Sequence, residues 1–280
     1  MKILVFGKTG QVARELQRQA DVTALDRSQA DLSDPAACAA IVRHTDADVI
    51  INAAAYTSVD QAESNEDLAT TINAVAPTEM AKAAAARGLS FLHVSTDYVF
   101  DGSGNAPRTA EEPTAPINAY GRSKLAGEYG VAASGVTYAI LRTSWVFSAH
   151  GTNFVKTMLR LGKERSALSI VNDQIGGPTP AADIAATLLK MAGQLRPETC
   201  GTYHYAGTPD VSWKDFASEI FRQVSLSIEV SGIPTTDYPT PAKRPLNSRL
   251  DCSVMQNMFG ILQPDWQAGL TKVLQDLGEI

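Results

Sequence analysis

The sequence predicts an α/β chain: a doubly wound parallel sheet with helices on both faces, followed by a smaller mixed C-terminal region. Three observations carry this. Short continuous apolar runs recur at 3–6, 22–25, 49–52, 91–95 and 138–142, as expected of strands buried on both faces. Helical patterns separate these runs, and alternating strand and helix builds a parallel sheet. The alternation then loosens after about Trp145.

The first strand runs into Gly7-Lys8-Thr9-Gly10-Gln11-Val12-Ala13 and a helix over 14–18. The second ends at Asp26, and the third runs into Ala53-Ala54-Ala55-Tyr56. A helix over 77–86 has Pro77 in its first turn, where a missing N–H is tolerated. The fourth strand ends in Ser95-Thr96-Asp97-Tyr98. A helix carrying Tyr120 and Lys124 follows, then the fifth strand. Beyond Trp145, helices are predicted over 153–162 and 181–192. Ser212 reads as an N-cap. Residues 233–245 hold four prolines and read as irregular. A last helix is predicted over 264–277.

At 280 residues the chain accommodates one large domain with an annex. The expected division is 1–150, mainly the sheet domain, and 151–280, mainly the annex, with some segments returning to the first. The net charge of −6 argues against nucleic acid or a membrane surface as partner, while a local basic cluster can still bind phosphates. No apolar run is long enough to span a bilayer, and the N-terminus reads as lacking a signal peptide. Cys38, Cys200 and Cys252 have no ligand spacing and read as reduced thiols of a cytoplasmic protein.

Tyr120 and Lys124 lie four residues apart, so a helix places them on one face. An ammonium beside a phenol favours the phenolate and lowers its pKa, which makes the tyrosine usable as a proton donor. Gly7 and Gly10 join a strand to a helix start, where backbone amides face a dinucleotide pyrophosphate; Thr9 replaces the middle glycine of the commoner fingerprint. Gln11 and Val12 open the helix. Asp26 can accept from a ribose hydroxyl, while Arg27 can take a 2′-phosphate. Asp31 and Leu32 either clasp the adenine or lead into a helix near Asp34-Pro35. Ala53, Ala54 and Ala55 either let the dinucleotide lie against the backbone or serve helix–sheet packing. Thr96 and Asp97 stand at a strand's carboxyl end, where ligands of open α/β sheets bind. Arg244 and Arg249 suit a diphosphate, and Trp145, Phe154 and Trp213 either stack on a base or sugar or serve as core or cover residues. His93 and His204 read as packed strand residues; His44 and His150 fall in exposed-looking segments.

With Thr96, Tyr120 and Lys124 on a Rossmann-like frame, the chain resembles the extended short-chain dehydrogenase/reductase superfamily. The match narrows further. Phe6-Gly7-Lys8-Thr9-Gly10-Gln11-Val12, Asn52-Ala53-Ala54-Ala55-Tyr56-Thr57, Val59-Asp60, Ala62-Glu63, Ser95-Thr96-Asp97-Tyr98-Val99-Phe100, Tyr120-Gly121, Arg142-Thr143-Ser144-Trp145-Val146, Asn172-Asp173-Gln174 and Pro245-x-Asn247-Ser248-Arg249-Leu250 are similar to the dTDP-4-dehydrorhamnose reductases. The similarity runs from residue 1 to about Trp266. It implies NADPH- or NADH-dependent reduction at C4 of dTDP-4-dehydro-L-rhamnose, the last step of dTDP-L-rhamnose synthesis. Tyr120 would protonate the forming alkoxide, Lys124 would bind the nicotinamide ribose, and Thr96 would bond the substrate oxygen. Asp97 and Trp145 would line the sugar site.

Nucleotide-sugar 4,6-dehydratases resemble the chain too but place Asp-Glu after the threonine, whereas Tyr98 follows Asp97 here. A 4-epimerase, another ketosugar reductase, or a non-catalytic partner like the regulatory subunit of methionine adenosyltransferase remains as an alternative. The resemblance allows a monomer or homodimer. In some members glutamates bridge a dimer through magnesium, and Glu15 matches one of them. Alanine in Pro180-Ala181-Ala182-Asp183 replaces the expected partner, and Asp183 is rotated by about 100° on a helix. No metal is therefore expected, and Glu15 reads as solvated.

Overall fold

A computed structural model describes residues 1–280. Five strands are met first: β1 (Ile3–Phe6), β2 (Thr23–Leu25), β3 (Val49–Asn52), β4 (Ser90–Thr96) and β5 (Thr137–Thr143). Between them lie the helices α1 (Gln11–Gln19), α2 (Pro35–His44), α3 (Val59–Ala62), α4 (Glu66–Thr70), α5 (Ala76–Ala85) and α6 (Ala119–Ala132). Past β5 come β6 (Val146–Phe147), α7 (Phe154–Glu164), β7 (Ala167–Val171), β8 (Ile175–Gly176), β9 (Thr179–Pro180) and α8 (Ala181–Ala192). The chain ends with β10 (Gly201–His204), β11 (Val211–Ser212), α9 (Trp213–Gln223), β12 (Glu229–Ile233), β13 (Asn247–Ser248), α10 (Ser253–Phe259) and α11 (Trp266–Asp276).

The main sheet has six parallel strands in the order β10-β5-β4-β3-β1-β2. Side chains alternate across a strand, so each β1 residue serves one of two cores. Ile3 and Val5 face Leu16 of α1 and Ile184, Leu188 and Met255 of α8 and α10. Leu4 and Phe6 face Cys38 and Val42 of α2 and Met80 and Ala84 of α5. Residues beyond 150 thus supply the edge strand β10 and two covering helices to this sheet. A third core gathers Phe147, Met158, Phe216, Ile220, Trp266 and Leu270 from β6, α7, α9 and α11, beside the β7–β12 pair. This annex hangs over the carboxyl ends of the main strands.

Five of the sheet strands, β1 to β5, match the apolar runs to within a residue or so at each end, while the edge strand β10 is not among those runs. Several helices differ for identifiable reasons. The first starts at Gln11, because Gly10 serves as N-cap with no side-chain bond. The proline at 77 does not open a fresh helix. A π-helical turn, Thr71–Val75, joins α4 to α5, and such turns absorb irregularity in the bonding ladder. The ten-residue α2 is capped by Asp34, which accepts from the Ala37 amide at 3.0 Å. Its alanine-rich sequence carries little periodicity. Over 233–245 only a 3₁₀ turn, Thr235–Asp237, is regular.

Candidate active site

Five strand ends converge on one cleft of about 890 Å³. Its wall includes Gly7, Gly10, Gln11, Val12, Asp26, Arg27, Asp31, Leu32, Ala53, Ala54, Ala55, Thr96, Asp97, Tyr120, Lys124 and Trp145. The reversal of strand order between β1 and β3 opens this crevice, as in doubly wound folds generally.

One end of the cleft is made of backbone. Gly7 has φ of +107°, and a Cβ there would stand 3.0 Å from the Ala54 nitrogen. The Gly10 amide donates to the Gly7 carbonyl at 2.8 Å and closes the turn. The N-terminus of α1 follows with no capping side chain and no first-turn acid, so its orphan N–H groups suit an anion. Gln11 braces the wall: its Oε1 accepts from Ser148 Oγ at 2.8 Å and Asn153 Nδ2 at 3.0 Å. Asp26 accepts from Ser28 and Gln29 through Oδ1 alone, leaving Oδ2 for a ligand hydroxyl; those bonds, led by the Ser28 hydroxyl, lower its pKa. Arg27 pairs with Asp31 at 3.1 Å and is largely exposed. Asp31 also caps the turn that leads into α2 by accepting from Ser33, while Leu32 is buried. These features fit a dinucleotide.

The other end is made of side chains. The first turn of α6 abuts β4 because Gly121 lacks the Cβ that would overlap the Tyr98 carbonyl. Asn118 caps that helix through the Gly121 amide at 2.7 Å. Thr96 donates to Asp97 Oδ1 at 3.0 Å and accepts from the Tyr98 amide at 3.2 Å. Asp97 is buried, which raises its carboxyl to about 6 despite opposing pulls from Ser248 and Thr96. Its Oδ2, like Thr143 Oγ1, has no partner within the protein. Burial also raises the Tyr120 phenol, and the Thr96 hydroxyl opposes that shift. The expected lowering of the phenol pKa by Lys124 is thereby corrected: the Lys124 amine is turned to the Val94 carbonyl at 2.8 Å and His93 Nε2 at 3.2 Å. Trp145 has φ of +49°, a costly conformation for a bulky residue that persists only where its surroundings enforce it. It stacks on Trp213 with centroids 3.6 Å apart and planes 11° apart.

The family model described as the RmlD substrate binding domain matches residues 1–279. A dTDP-4-dehydrorhamnose reductase of Shigella flexneri is 43% identical over 99% of this chain and 98% of that protein. The chain belongs to the dTDP-4-dehydrorhamnose reductase family. The solved structure of a family member from Clostridium acetobutylicum has a TM-score of 0.94 at 38% identity and covers 99% of this chain and 100% of its own. That of a Bacillus anthracis member in complex with NADP scores 0.92 at 37% identity, covering 98% and 99%.

Two predicted residues stand outside the cleft wall. Arg249, just past β13, is engaged elsewhere: it meets Asn247 Oδ1 at 3.0 Å and Asp210 at 3.8 Å. Arg244 stays near the rim, held by Asp60 at 2.8 Å and close enough to lower the buried Tyr98 phenol's otherwise raised pKa. Glu15 is not solvated. It is buried, 3.3 Å from Arg18 and 3.1 Å from His150 Nε2, so His150 is half-buried rather than exposed. Rotation along α8 does not isolate Asp183 either: burial raises its pKa, Lys272 opposes this, and the Glu15 charge adds to it. His93 and His204 are both buried, but His93 also touches Lys124. Sequence reasoning missed Tyr98, edge-on to Tyr120 at 5.6 Å, and the partner Ser248. Ser248 lies in one of the segments that carry the family resemblance, and Trp213, read as a residue that can stack on a base or sugar, lines the cleft and stacks on Trp145.

Proposed function

We propose that this chain reduces the C4 ketone of dTDP-4-dehydro-L-rhamnose to dTDP-L-rhamnose with NADPH or NADH. The observation that carries the reading is one continuous cleft with a backbone-lined dinucleotide cradle at one end and Thr96, Tyr120 and Lys124 at the other. The family relationship of the whole chain supports it.

The reduced nicotinamide supplies the hydride. The remaining work falls to the chain. Gly7, Gly10 and the α1 N-terminus hold the pyrophosphate, and Ala53 to Ala55 leave room for the dinucleotide. Asp26 and Arg27 read the adenosine ribose, and Lys124 holds the nicotinamide ribose. Tyr120 starts protonated, because burial disfavours its anion. It gives its proton to the oxygen that gains charge, while Thr96 bonds the same oxygen. Asp97, through its unpartnered Oδ2, accepts from a sugar hydroxyl. Trp145, backed by Trp213, forms a flat apolar wall for the sugar, and Arg244 faces the diphosphate.

Magnesium has no part in the proposal. Glu15 is engaged by Arg18 and His150 instead. No helix is long and apolar enough to cross a membrane. With three unpaired cysteines, we place the reaction in the cytoplasm.

The test is NADPH and NADH oxidation with dTDP-4-dehydro-L-rhamnose generated in place by upstream enzymes. Oxidation coupled to dTDP-L-rhamnose formation is expected. Cofactor binding without oxidation would assign the chain a non-catalytic role.

A further inference from the structure

Behind the cleft a line of buried polar groups ends on Lys124, and its hydrogen bonds can be assigned in order. The Ala54 amide donates to Asn52 Oδ1 at 3.2 Å. That bond fixes the side-chain amide, so its NH₂ faces His93 Nδ1, 3.1 Å away on the neighbouring strand. His93 Nδ1 is then the acceptor, and the single proton of the neutral ring sits on Nε2. Nε2 is 3.2 Å from Lys124 Nζ. An ammonium has no lone pair to receive that proton. A neutral amine does, and it still has a hydrogen for the Val94 carbonyl at 2.8 Å.

A charged Lys124 requires the opposite arrangement. The ring proton would move to Nδ1, the Asn52 amide would turn over, and the Ala54 N–H would face an NH₂ group. That leaves a part-buried backbone donor without its acceptor, which costs free energy.

We propose that His93 is a positioning residue for Lys124: it donates through Nε2–H to the neutral form of the amine, against the Val94 carbonyl, and so favours that form in the cofactor-free protein. The proposal rests on the reading of Lys124 as a cofactor-side residue of a reductase.

The electrostatic surroundings agree. Lys124 is completely enclosed, and burial pulls its pKa down to about 8 against the attraction of Glu128. A hydrogen bond donated to the neutral form acts in the same direction as burial. The ionisable groups acting on the amine are His93 from β4 and Glu128 from its own helix. Glu128 is already neutralised by Arg142 of β5 through bonds of 2.7 and 3.0 Å. Burial keeps the His93 ring from protonating, and a charged Lys124 would only oppose its protonation further. No free carboxylate is left to stabilise an ammonium there, and an unpaired buried charge is unfavourable. Ala54 also lines the cofactor cradle, so the same line connects that wall to the lysine.

The experiment uses the full cofactor-free chain with ¹⁵N-labelled histidine. Ring correlation spectra read each tautomer without altering the protein. A His93 proton on Nε2 with a bare Nδ1 is expected; a proton on Nδ1 would overturn the proposal. Lys124 is then titrated by NMR of ¹³Cε-labelled lysine. In His93→Leu its pKa should rise by about one unit, the worth of one hydrogen bond. In His93→Gln, whose amide donor can replace Nε2–H, it should stay near the parent value. An unchanged titration in folded His93→Leu would contradict the assignment. Activity is scored separately. The expected tautomer without NADPH oxidation removes the reductase reading alone, and oxidation with the other tautomer removes the role of His93 alone.

Discussion

At one end of the cleft the wall is backbone from three short stretches: Gly7 to Val12, Asp26 to Leu32 and Ala53 to Ala55. At the other it is side chains from widely separated parts of the chain, with Thr96 and Asp97 meeting Tyr120, Trp145, Trp213 and Ser248. The cradle depends on what is missing, such as the Cβ of Gly7. The reacting end depends on what is present and on how burial tunes it. Substitutions at the two ends should therefore fail differently.

The largest effect belongs to Tyr120→Phe. It removes the proton donor and leaves the cradle intact, so turnover should fall about 10²- to 10⁴-fold while cofactor affinity is kept. Isothermal titration with NADP beside steady-state kinetics checks both halves. Equal loss of both would dissolve the distinction between the ends.

Asp97 sharpens it through pH. Its carboxyl, raised to about 6 mainly by burial, titrates near 3.9 when unfolded. The folded chain holds that proton more tightly, so this site costs stability progressively as pH rises from about 4 to about 6. Asp97→Asn should gain on the parent by roughly 3 kcal/mol over that interval. Urea unfolding across the range measures the difference. A constant difference would mean that Asp97 is not held neutral by its surroundings.

The arginines test where the substrate end stops. Arg244→Ala should raise substrate KM by a factor corresponding to about 1.5–3 kcal/mol, with cofactor affinity unchanged. Arg249→Ala should leave both constants alone, because that side chain serves Asn247 and Asp210. A larger KM effect at Arg249 would reverse the assignment.

At the cradle, Gly7→Ala places a Cβ against Ala53 and Ala54 at a positive φ. It should cost about 1–3 kcal/mol, divided between stability and cofactor binding. Thermal unfolding with and without NADP separates the two, and an unperturbed variant would show that the turn relaxes. The smallest effects lie at the adenosine. Asp26→Ala should shift preference toward NADPH and Arg27→Ala toward NADH, each only modestly, since both side chains are solvated. Ratios of specificity constants identical to the parent's would mean that neither reads the ribose.

The same contrast explains how much could be read before folding. The cradle's strand–glycine–helix pattern is local, and every cradle residue singled out in the sequence lines the cleft. Tyr120 and Lys124 were legible too, because helical spacing puts them on one face. What the lysine does with its amine was not, since its partners His93 and Val94 come from another strand. Ser248 is likewise brought in by the annex, and no short-range pattern announces that contact. Glu15 read as a surface acid because nothing in its own helix shows that α8 and His150 would cover it.

The central claim is that a nicotinamide held at the backbone end delivers hydride to C4 of a keto sugar held at the other. The direct measurement is a single turnover with NADPH deuterated at C4 of the nicotinamide, followed by NMR of the nucleotide sugar. The account predicts one deuterium, at C4 of dTDP-L-rhamnose. Unlabelled product, or label at any other carbon, would contradict it.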